Sequence, residues 1–186
     1  MNKNTRYLTV NGILVAFAIA IQLIGRNLPT LSQGFVGPTI NAILILSVLM
    51  TNLKYASMLA ILTPITALLT TQLNPAMGFF VPFICVGNLV FVVLFSLCRF
   101  KSVVKVNDKI ANIVSLVIAS VGKFIFLSFA ATKLIVWLNL GVAPKILEKL
   151  AVAMGVAQLY AALAGGILAI VLGGVLIRIN AKSNKQ

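Results

Sequence analysis

The 186-residue chain is 61% hydrophobic, has a mean hydropathy of +1.11 and carries charge on only 9% of its residues, a balance that excludes a soluble globular domain. Its formal charge of +13 comes from 15 Lys and Arg against two acids, Asp108 and Glu148, and the basic residues fall between apolar blocks. They read as topology signals and not as a nucleic-acid surface.

The chain has no His, and Cys85 and Cys98 lie thirteen residues apart in one apolar block. On an intact helix that separation is about 20 Å, so they form neither a bridge nor a metal site there. Two carboxylates near segment ends make poor acid/base machinery, so neither enzymatic activity nor a metal or cofactor is expected.

Taken in order, the basic leader MNKNTR precedes a first apolar span over 7–25. Ala18-Ile19-Ala20 imitates a cleavage site, but the run continues past it as a span does. Gly12, Ala16 and Ala20 recur every four residues and draw a ridge of small side chains that lets another helix approach closely, either a partner or the protein's own bundle. GRNLPTLSQGFVG, from Gly25 to Gly37, is a long polar connection holding Arg26. The second span, 36–50, has Asn41 near its start, and the third, 55–70, is interrupted by Pro64, which predicts a kink. After the uncharged turn TTQLNP with Gln72 and Asn74, the fourth span, 77–98, holds Asn88 near its middle. The loop RFKSVVKVNDK is the most basic in the chain.

The fifth span, 110–131, reads IANIVSLVIASVGKFIFLSFAA and carries one full charge, Lys123, past its middle. A lysine near a helix centre costs about 2.5 to 3.5 kcal/mol on insertion scales, so it is expected to face a bundle interior or watery cavity and to have a partner. TKLIVWLNLGVAPKILEK follows, with Trp137, Asn139 and Pro144. The sixth span, 150–177, carries Gln158, Tyr160 and the pairs Gly165-Gly166 and Gly173-Gly174.

Six spans put both termini on one side. That side holds Lys3, Arg6, Lys54, Arg99, Lys101, Lys105, Lys109, Arg178, Lys182 and Lys185, against Arg26, Lys133, Lys145 and Lys149 opposite. The asymmetry predicts a six-transmembrane-helix bundle, one transmembrane domain over 1–186, with both termini cytoplasmic. In that orientation Lys123, Asn41, Gln158 and Tyr160 fall in the outer half, Asn88 near mid-depth, and Arg26, Gln72, Asn74, Trp137 and Asn139 in outward connections. A pocket open to the exterior is expected, with Lys123 pairing an anionic group of a small-molecule ligand. The alternative is a structural lysine satisfied by neighbouring carbonyls and amides such as Asn88; Trp137 has the further alternative of an interface anchor.

There is no Walker sequence, no inverted repeat and no intramembrane carboxylate, so concentrative uptake needs a partner. The six spans, Ala16-x-x-x-Ala20, the segment PFICVGNLVFVVLF with Pro82, Gly87 and Asn88, and GKFIFL around Lys123 resemble the substrate-binding S components of energy-coupling-factor transporters. These are micronutrient importers of prokaryotic cell membranes. The resemblance covers nearly the whole chain. It implies that Gly12, Ala16 and Ala20 dock on a transmembrane coupling (T) subunit joined to two ATPase subunits. It also implies that the loop carrying Arg26 acts as a lid over a pocket in the outer halves of helices four to six.

Two functions are therefore weighed. One is a membrane subunit that captures a vitamin-like, anionic or carboxylate-bearing nutrient such as pantothenate, biotin, folate or niacin. The other is a non-transporting membrane scaffold or assembly protein, whose ridges serve helix association only.

Overall fold

In the computed structural model, residues 2–28, 32–102, 108–139 and 141–183 are described. Among them the chain is helical throughout, with no strand. Helix α1, Lys3–Asn27, begins where the Asn2 side chain accepts from the Asn4 amide. A π-helical turn, Ser32–Val36, leads into α2, Gly37–Met50, with Pro38 in its first turn, where a missing amide hydrogen costs nothing. Helix α3, Leu53–Leu69, is capped by Asn52, whose side chain accepts from the Tyr55 amide.

A 3₁₀ turn, Pro75–Phe80, precedes α4, Val81–Ser102. Helix α5, Asp108–Phe129, continues through a π-helical turn, Ala130–Leu134, and a last turn, Ile135–Trp137. The sixth crossing is broken. Helix α6, Pro144–Met154, stops at Gly155, and α7 runs Val156–Ser183.

Four stretches, Lys3–Asn27, Pro75–Arg99, Ile110–Trp137 and Pro144–Leu176, are long and apolar enough to cross a membrane, and two shorter apolar helices complete an all-α, six-helix membrane bundle. The apolar helical stretches that contain the fifth and sixth spans run beyond 131 to Trp137 and begin before 150 at Pro144. Residues 103–107, including Lys105, and 29–31 of the connection after Arg26 lie outside the described residues.

The start of α1 and the end of α7 share one end of the bundle, called here the near end. There Tyr7 packs edge-on against Tyr55 with ring centroids 5.9 Å apart, and Gly173 of α7 lies beside Leu49 near the end of α2. The near half and middle hold the main core. Every residue of α2 from Asn41 to Val48 is buried, and Ala18, Leu59, Phe91, Phe95, Leu116 and Ala169 close around it. Helix α7 approaches α2 so closely that a Cβ on Gly165 would collide with the Pro38 carbonyl, and one on Gly166 with Leu116. A smaller cluster at the far end joins Phe80, Leu127, Ala130, Ile135, Leu150 and Met154.

With 14 and 17 residues, α2 and α3 reach only about 21 and 25 Å at 1.5 Å per residue, less than the roughly 30 Å hydrocarbon thickness. The first turns of α2 and the last turns of α3 border the cavity described next.

Candidate functional site: a cavity in the far half of the bundle

All six crossings contribute to one cavity of about 760 Å³, within the range of roughly 300–1,000 Å³ usual for small-molecule sites. Its walls come from Gln22 of α1, the first turns of α2, the last turns of α3, Ile84 and Asn88 of α4, Lys123 of α5, and α6 with the start of α7. Apolar side chains dominate, among them Ile40, Leu73, Met77, Ile84, Val152 and Met154.

Lys123 sits thirteen residues into the Ile110–Trp137 stretch and fourteen from its end, about 20 Å from either and so at the middle of that helical stretch. Its side chain is 3% exposed. The ammonium donates to Asn41 Oδ1 at 2.7 Å and lies 5.2 Å from the centroid of the fully buried Phe91 ring. Asn41 is itself fixed, because its Nδ2 donates to the Gly37 carbonyl one turn back at 2.9 Å. Among the described residues no carboxylate pairs with Lys123. A neutral amide and a ring face are thus its partners, and the amide is Asn41 rather than Asn88.

Asn88, 3% exposed, answers to a different need. Pro64 has no amide hydrogen to return to the Ala60 carbonyl, so a buried acceptor is left open inside α3. Asn88 Nδ2 donates to that carbonyl and to Thr63 Oγ1, both at a long 3.4 Å. Gln22 meets the same stretch of α3, its Nε2 donating to the Thr63 carbonyl at 2.9 Å. Its Oε1 is buried with no hydrogen-bond partner. Gln22, Thr63 and Asn88 therefore form a polar seam across α1, α3 and α4 on the cavity wall.

Of the polar residues singled out in the sequence, Lys123, Asn88, Asn41, Gln72, Asn74 and Gln158 line the cavity together. Gln158 Nε2 reaches the Met154 sulfur at 3.8 Å, and Asn74 caps the 3₁₀ turn by accepting from the Ala76 amide at 2.9 Å. Tyr160 is 70% exposed and outside the lining, since residues two apart on a helix project to nearly opposite faces and Gln158 takes the inward one. Trp137 is 79% exposed at the end of the fifth crossing, beyond the cavity. Asn139 holds a left-handed φ of 48° in the exposed turn after it, and Arg26 is exposed on the last turn of α1; neither lines the cavity.

Gln22, Thr63, Glu148, Lys149 and Met154 were not singled out, yet they line it. Gln22 carried a readable signal, an amide inside an apolar run, which it shares with Asn11. Glu148 and Lys149 carried none, because they resemble loop charges until α6 folds over the far end.

Gly12, Ala16 and Ala20 all face outward, and a Cβ on Gly12 would meet nothing within 4 Å. The bundle packs instead on the face of α1 with Asn11, Ala18, Ile21 and Gln22. Gly165, Gly166 and Gly173 of α7 do pack closely, whereas Gly174 meets no neighbour. Cys85 and Cys98 are free thiols. Among the described residues no three His, Cys, Asp or Glu side chains gather as metal ligands. No known protein family, curated protein or solved structure matches this chain.

Proposed function

We propose that this protein is the substrate-capturing subunit of an ATP-driven importer of the energy-coupling-factor type, binding a small vitamin-like nutrient that bears an anionic or carboxylate group. The observation that carries the reading is Lys123: a buried ammonium at the middle of a crossing, bonded to one neutral amide and bordering a cavity of ligand size. Retaining so costly a charge is reasonable where an incoming anion completes its pairing. The bias of basic residues toward the near end supports cytoplasmic termini, with the cavity facing outward in a prokaryotic cell membrane. The outward ridge Gly12, Ala16 and Ala20 supports docking on a transmembrane coupling subunit, which would bring two ATPase subunits. Membrane lipid covers the remaining apolar surface.

The decisive experiment is native mass spectrometry of gently purified protein beside its Lys123→Ala variant. A retained small molecule in the wild type that disappears from a folded variant supports capture. A lipid-only spectrum with stable self-association favours the scaffold function. Replacing Ala16 and Ala20 with Trp is expected to spare ligand binding and stop uptake; uptake at the wild-type rate would refute docking through α1.

A further inference from the structure

We propose that the cavity selects a monocarboxylate with an apolar body, its carboxylate against Lys123 and its other end at the rim formed by Glu148 and Lys149. The proposal deepens the capture reading and rests on it.

The first ground is charge. The ionisable residues on the cavity wall are Lys123, Lys149 and Glu148, two cations and one carboxylate, which leaves a single net positive charge. That charge is not spread evenly. Lys123 is buried deep in the bundle, while Glu148 and Lys149 are exposed on α6 near the far end. A ligand's first negative group thus meets an ammonium with no carboxylate partner. A second negative group, at the other end, meets Glu148 as well as Lys149 and gains little. A cationic group finds no acidic residue at depth.

The second ground is preorganisation. An ammonium has three N–H donors, and here one goes to Asn41 Oδ1 while the Phe91 ring covers another side. Asn41 is tied to the Gly37 carbonyl, so the lysine head is held in place before any ligand arrives. The remaining donor capacity suits a carboxylate, whose oxygens only accept.

The third ground is the wall between the two ends. Ile40, Ile84, Met77, Leu73, Val152 and Met154 are among its lining, side chains that pack on hydrocarbon or an aromatic ring, and they stand beside the polar seam of Gln22, Thr63 and Asn88. Two thioethers among them adapt to the shape of the body they enclose.

The test uses the full chain in lipid nanodiscs, titrated calorimetrically with four compounds sharing one phenylpentyl body and corrected against empty nanodiscs. They are 5-phenylvalerate, 5-phenylvaleramide, the analogue with a second carboxylate on the ring, and 5-phenylpentylammonium. Saturable binding of 5-phenylvalerate at least tenfold tighter than the other three is expected. Lys123→Gln should erase the preference for carboxylate over amide without lowering the unfolding temperature. Should that variant fail to fold, Glu148→Gln, at an exposed position, should improve binding of the dicarboxylate relative to 5-phenylvalerate at least threefold. Equal binding of the dicarboxylate or the ammonium compound, or a Glu148→Gln protein with unchanged selectivity, overturns the monocarboxylate assignment and leaves capture standing. No saturable binding by any member, together with native mass spectra free of any retained molecule, overturns both.

Discussion

The two halves of this bundle solve opposite problems with the same helices. In the near half and middle, α2 is buried on every side from Ala42 to Val48, and Phe91, Phe95 and Leu116 fill the space around it. In the far half, the same six crossings separate around a cavity whose wall carries Lys123, Asn41, Asn88 and Gln22. In lipid, apolar side chains gain little by leaving the hydrocarbon, so shape and close approach hold helices together. Polar side chains can be kept only where they find one another or a cavity. The near half is therefore built from small residues and interlocking rings, and the far half from amides arranged around one ammonium.

That contrast can be broken most severely at Gly165. Any Cβ there meets the Pro38 carbonyl, which is backbone and cannot swing aside, so Gly165→Val should push α7 off α2 and leave no monodisperse folded protein after extraction. A normal size-exclusion profile would show that the two helices tolerate separation. Next, Phe95→Ala removes a fully buried ring from the near half and should cost about 3 kcal/mol, the low end of the soluble-protein range because lipid, not water, is the alternative environment. Measured by reversible unfolding in mixed micelles, a loss under about 1 kcal/mol would mean a loosely packed near half.

The smallest effect sharpens the comparison by separating the open carbonyl in α3 from ligand binding. Asn88→Leu leaves the Ala60 carbonyl open in α3 and should destabilise by about 1–2 kcal/mol. Adding Pro64→Ala returns an amide hydrogen to that carbonyl and should recover most of the loss. A double variant as unstable as the single one would sever Asn88 from the proline.

How much of this was legible follows from the physics of each signal. The helices could be read because crossing a membrane requires about twenty apolar residues, and such runs leave a long trace in sequence. Lys123 stood out as a full charge inside such a run. The same logic applies to Gln22, one of two amides in the first run with Asn11, but only its neighbours across the bundle assign it to the cavity. Gln158 and Tyr160 could not be separated by composition, but a helix turns about 200° between them, so one pocket cannot take both. Glu148 and Lys149 were beyond reach, because their place on the cavity wall depends on the break at Gly155 and the way α6 folds against Leu127 and Ile135.

The sequence by itself determined that this chain forms helices in a membrane, that its ends share a side, and that an ammonium is buried among them. Those properties follow from local runs of residue type, which the solvent reads one segment at a time. Only the tertiary structure decided that Asn41 holds Lys123, that Asn88 donates to the Ala60 carbonyl left open by Pro64, and that the ridge on α1 faces outward. Each depends on the rotation of one helix against another, which is set by close contacts such as Gly165 on Pro38 between residues far apart in the chain.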